Sequence, residues 1–109
     1  MSQCNVIVIH VRAEQADEFQ REWEADELPR WRRFHEDGKF LSARFYRSTY
    51  GTDERPEVVK FVIVAELPGM PEHDAHDDDP GFKAWNERAV AYQPEAPLVF
   101  GGDLLHGVG

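Results

Sequence analysis

Cysteine is all but missing, with Cys4 the one thiol in 109 residues. A lone thiol closes no intramolecular disulfide and gives no framework for structural zinc, so no metal is expected and a reducing cytoplasm fits best. Basic residues are scarce as well. The 12 of them face 21 acidic ones, and the formal charge of −9 repels phosphate backbones and anionic membrane surfaces, which argues against nucleic acid as a partner. The opening MSQCNVIVIHVRAE has no basic leader and an apolar run only as long as a strand, so neither a signal peptide nor a membrane span is expected. A glycine-rich phosphate loop, a serine nucleophile elbow and a paired-cysteine redox motif are also lacking. What the chain does have is apolar and aromatic mass, 41% and 12% of its residues, which suffices for one core and makes 1–109 a single domain.

That mass is arranged in periods. Val6 to Val11 is a run of β-branched residues without a turn former and reads as a central strand buried on both faces. From Ala13 the period becomes helical, with Ala16, Phe19 and Trp23 on one face and acidic residues largely on the other. Pro29 lacks the N–H that would bond the Ala25 carbonyl, so the helix is expected to kink or end near Leu28 before a second piece carries Trp31 and Phe34. Asp37-Gly38 supplies a turn, and Phe40 to Tyr50 reads as a second strand in which Leu41, Ala43 and Phe45 alternate with Ser42, Arg44 and Tyr46. Val58 to Leu67 is a third strand. Pro68 to Asp79, with two prolines, a glycine and the run HDAHDDD, is expected to be a loop. Asp79-Pro80 then caps and starts a short helix through Phe82, Trp85 and Ala89, and Leu98 begins a last strand with a bend or bulge at Gly101-Gly102.

The order β-α-β-β-α-β predicts an α+β plait: a four-stranded antiparallel sheet with both helices on one face. Its other face would be bare and apolar, and a homodimer pairing two such faces is the economical solution.

Glu18-Phe19, Trp23, Glu27-Leu28-Pro29, Gly38, Phe40 to Arg47, VIVAEL and Pro80 to Trp85 together resemble the EthD-like branch of the dimeric α+β barrel (ferredoxin-like) superfamily. The resemblance spans most of the chain and implies a homodimer. It does not select a chemistry, because the superfamily includes cofactor-independent monooxygenases, muconolactone isomerases, polyketide cyclases and haem-degrading enzymes. Many relatives carry histidine two residues before the proline, where this chain has Glu27.

Glu27 is four residues from both Trp23 and Trp31, which puts a carboxylate on the apolar stripe, where desolvation would raise its pKa toward that of a general acid or base. The opposing reading turns Glu27 outward or neutralises it with Arg30 or Arg33. His10 is the second acid-base candidate, set against a core histidine bonded to backbone. Arg44 and Tyr46, with Ser42 and Phe40 on the same side, form a strip that could orient a hydroxylated aromatic ligand or serve a dimer interface. Trp23, Trp31 and Trp85 are core residues, any of which could wall a pocket. His73, His76 and Asp77 to Asp79 have metal-ligating types in no defined geometry, and read as a solvated loop. The expectation is a barrel that binds a small aromatic or polyketide-like molecule between helices and sheet, with acid-base, oxygenase, cyclase or isomerase chemistry and no bound cofactor. The alternative is an inert homodimeric accessory module of a degradation or biosynthesis pathway. A haem pocket is a third reading, with no residue marked as an axial ligand.

Overall fold

The computed structural model describes residues 2–109. In chain order these form β1 (Gln3–Arg12), a turn of 3-10 helix, α1 (Ala16–Glu36), β2 (Ser42–Arg47), β3 (Val58–Leu67), α2 (Met70–Asp77), α3 (Pro80–Ala89), a second 3-10 turn, and β4 (Leu98–Asp103). The strands make one antiparallel sheet in the order β2-β3-β1-β4. The two long β-branched runs, β1 and β3, take the centre, where both strand edges are paired. Residues directly opposite share a face. Ile7 opposite Ile63 and Ile9 opposite Phe61 therefore point to the helices, while Val6 opposite Val64 and Val8 opposite Val62 point away from them.

On the helix side the core is aromatic. Phe19 of α1 and Phe61 of β3 are fully buried with ring centroids 4.9 Å apart, Trp23 stacks on Phe45 at 3.9 Å, and Trp85 of α3 closes on Phe19 at 5.8 Å. The opposite face is mostly bare among the described residues. Tyr46, Leu98 and Phe100 there are each half exposed, at 50%, 57% and 54%. β1 is thus central as predicted, but only one of its faces is covered along its whole length.

Four local expectations need correction. Pro29 neither ends α1 nor splits it: Ala16–Glu36 is one helix with the proline inside. An interior proline costs about 3 kcal/mol, and burying Trp31 and Phe34 beyond it, at roughly 1.5–3 kcal/mol for side chains of that size, offsets that cost. The predicted loop over 68–79 contains α2. Pro71 sits in its first turn, where a missing N–H costs nothing, and its inner face presents histidine and methionine instead of the aliphatic residues that a helical period is read from. The second strand is shorter than expected and Phe40 does not share a side with Arg44 and Tyr46. After α1, Gly38 adopts φ +78°, Lys39 N–H donates back to the Phe34 carbonyl at 2.8 Å, and Phe40 turns into the core beside Trp31 and Phe34. Finally, β4 runs in unbroken register through Gly101-Gly102 with no bulge. Gly101 is needed for space, because a Cβ there would fall 2.4 Å from Asn5 Oδ1.

Candidate functional site

A cavity of about 430 Å³ lies between the sheet and the helices at the end where α2 crosses. That is enough for a small organic molecule. Ile7, Ile63 and Ala65 form its floor, Trp31, Phe40 and Phe82 its walls, and the uncovered strand β4 borders it through Val99 and Gly101. The floor is hollow for a local reason: Ala65 and Gly101 are small, and α2 is too short to lay a large apolar face over them.

Two sets of polar groups reach this cavity. The first centres on Glu27, which is 2% exposed. Its Oε1 accepts from Arg30 Nη1 and its Oε2 accepts from the Trp31 indole N–H at 3.3 Å. Arg30, itself buried, also reaches Asp26 Oδ1 at 3.4 Å and Asp79 Oδ2 at 3.5 Å. Asp79 caps α3 by accepting from Phe82 N–H at 3.0 Å, so the guanidinium ties α1 to the start of α3. Gly81 makes room for it; a Cβ there would meet Arg30 Nε at 2.6 Å. Burial pushes the Glu27 carboxyl above its ordinary value, and the hydrogen bond and charge of Arg30 oppose that rise without cancelling it. Both sequence readings of Glu27 thus hold in part: it is on the apolar stripe, and Arg30 is its partner.

The second set is on α2. The His76 ring packs against Phe82 at 4.2 Å and against Phe34 and Phe40 at 5.3 Å. Its Nδ1 lies 3.0 Å from Asp77 Oδ1, and a carboxylate only accepts, so Nδ1 carries the hydrogen. His73 Nε2 is 3.1 Å from the other oxygen, Asp77 Oδ2, and the Asn5 side-chain amide meets His73 Nδ1 at 3.5 Å. Burial pushes the His76 pKa down and Asp77 works against this, leaving a ring held toward its neutral form. Among the described residues no three His, Cys, Asp or Glu side chains converge so as to hold a metal ion.

Of the predicted site residues, Glu27 and Trp31 line the cavity. Trp23 and Trp85 are buried in the filled part of the core. His10, Arg44 and Tyr46 stand on the opposite face of the sheet, with His10 buried and its Nδ1 unpaired among the described residues. The sequence reading overlooked Asn5, His73 and His76 as wall residues. The signal was there: Pro71 as a helix start and histidines three apart, a spacing that shares one helix side.

No protein-family model matches the sequence, and no curated protein matches it either. Solved structures do match in three dimensions. Rv0793 from Mycobacterium tuberculosis superposes with a TM-score of 0.78 at 15% identity, over 100% of both chains. A Caulobacter crescentus protein proposed to be an antibiotic biosynthesis monooxygenase gives 0.73 at 17% identity, over 96% of this chain and 91% of that one. A dimeric ferredoxin-like protein of unknown function from Jannaschia sp. gives 0.73 at 11% identity, over 95% and 100%. The fold is ferredoxin-like. Identity this low carries the fold and nothing finer. Among the described residues no helix is long and apolar enough to cross a membrane.

Proposed function

We propose that this ferredoxin-like chain binds a small planar hydroxylated aromatic or polyketide-like molecule in the hollow beneath α2, and that it falls in the EthD-like, monooxygenase-related part of the dimeric α+β barrels. One observation carries the reading: a cavity of about 430 Å³ walled by Trp31, Phe40 and Phe82 has the nearly inaccessible Glu27 carboxyl at its edge. Aromatic walls supply flat contact area, and a single polar group fixes the orientation of a ligand hydroxyl or carbonyl. With its pKa raised, Glu27 is suited to give a proton to such a group, without a bound cofactor. The test is calorimetric titration with a dihydroxynaphthalene. The expected result is saturable binding that weakens at least about tenfold in Val99→Trp, which fills the β4 side of the cavity with a ring and leaves the buried core untouched. Equal binding by both proteins, or none by either, removes the reading and leaves the inert accessory module.

The bare sheet face belongs to a second copy of the chain. Val6, Val8, Val62 and Val64, flanked by Leu98, Phe100 and Tyr46, form an apolar surface of the kind that two-fold partners cover, and the Jannaschia neighbour is described as dimeric. His10, Arg44 and Tyr46 then face the partner and not the cavity. Phe100→Asp is expected to yield a monomer in sedimentation; an unchanged dimer would place the interface elsewhere.

A further inference from the structure

We propose that His76 is the group that accepts the proton of a phenolic hydroxyl bound in this cavity, held in the basic tautomer by Asp77. The proposal rests on the cavity being the ligand site and goes beyond it by naming the proton acceptor and the class of ligand, an ionisable phenol.

The tautomer follows from the contacts. Asp77 Oδ1 accepts from Nδ1, so in the neutral ring the lone pair belongs to Nε2, and Nε2 has no partner among the described residues. Phe34, Phe40 and Phe82 hold the ring plane, and the His76 side chain lines the cavity. Asp77 is in turn held by His73, whose other nitrogen meets Asn5 on the floor, so the carboxylate is steadied from both β1 and α2. The arrangement is a base, an orienting carboxylate and a support behind it.

In the step itself the phenol O–H bond breaks, a new N–H bond forms at His76 Nε2, and the electron pair stays on oxygen. A neutral pair becomes a phenolate and an imidazolium, with no oxidant or reductant involved. The charged groups around His76 sort themselves by element. Asp77 and His73 share α2, Asp79 stands at the start of α3, and Glu27 on α1 lines the same cavity. Burial disfavours the imidazolium, Asp77 and Asp79 favour it, and His73 would oppose it if charged. Glu27 is kept from opposing the phenolate by Arg30.

The probe is 4-nitrophenol, whose phenolate absorbs visible light and whose phenol does not. Binding is followed by calorimetry and ionisation by absorbance across pH. Wild type is expected to bind it and to ionise the bound phenol at a pH about one unit lower than in free solution, a tenfold change in the proton equilibrium. His76→Gln should still bind the un-ionised probe at acid pH, yet lose that shift and with it about tenfold in affinity for the phenolate at alkaline pH. Asp77→Asn should lose it too, because an amide can donate to Nδ1 and move the ring hydrogen to Nε2. As a check that needs no variant, the ring nitrogen resonances of His76 in wild type should change to those of an imidazolium on binding. Binding with an unshifted ionisation, or a shift that survives in His76→Gln, overturns this assignment and leaves the cavity reading intact. Failure of wild type to bind nitrophenol or dihydroxynaphthalene overturns both.

Discussion

The two ends of the layer between helices and sheet are built from the same elements and have opposite interiors. At one end Phe19, Trp23, Phe45, Phe61 and Trp85 meet ring to ring, at centroid distances of 3.9 to 5.8 Å, and the openings beside Trp23 and Trp85 are shallow surface clefts. At the other, Ala65 and Gly101 lie under a short helix, and the space they leave is bordered by Glu27, His73 and His76. The filled end gains its stability from apolar area. The hollow end gives that up and must secure buried polar groups with partners instead. A fold that needed only to persist would have filled both ends, and this contrast is why the α2 end is read as the working one.

Substitutions at the two ends should therefore differ in kind. The largest effect is expected from Phe61→Ala, which removes a fully buried ring packed between Phe19 and Phe45; denaturant unfolding should show a loss of about 3–5 kcal/mol. Glu27→Ala comes next. It leaves the Arg30 guanidinium buried with only its longer contacts to Asp26 and Asp79, for a loss of about 3 kcal/mol. Glu27→Gln, which keeps one acceptor oxygen for Arg30 but sets a donor amide against the Trp31 indole N–H, should lose less, about 1–2 kcal/mol as for a weakened charged hydrogen bond. If Glu27→Ala left stability unchanged, the polar cluster would not be structural and the contrast between the ends would fail. Gly81→Ala is expected to cost about 1–2 kcal/mol by pushing Arg30 off its partners.

The smallest effects are in the pH dependence, where the hollow end should show two opposite slopes. Burial lowers the His76 pKa in the fold, so near and below the ordinary histidine value the unfolded chain binds more protons, and stability falls as pH drops. His76→Gln should flatten that slope. Glu27 behaves in reverse. Its folded pKa is raised, so above the ordinary glutamate value the folded chain holds more proton, and stability falls as pH rises through that window. Urea titrations at a series of pH values separate the two.

Much of the frame was legible in the residues. β1 and β3 are uninterrupted β-branched runs, and the stripe Phe19, Trp23, Trp31 and Phe34 marks α1 despite Pro29. Which face of a strand looks inward was harder. In β2 the polar parity of Arg44 and Tyr46 reads as a pocket lining, yet a sheet covered on one side turns its apolar parity, Ala43 and Phe45, to the cover. In β1 both parities are apolar, so no pattern could tell that His10 points away from the helices. α2 escaped notice because its inward side chain, His76, is a half-buried histidine among carboxylates, and a search for apolar period discards such a helix. Half of the candidate site was hidden for that one reason.

The three tryptophans give the most direct test, since their indole N–H resonances sample both ends at once. Trp31 donates to Glu27 on the cavity wall, whereas Trp85 is packed at the filled end. On titration with a dihydroxynaphthalene the account predicts a saturable shift that is largest for Trp31 and absent for Trp85. A spectrum in which no indole moves, or in which Trp85 moves as far as Trp31, would contradict the claim that the hollow beneath α2 is where this protein takes its ligand.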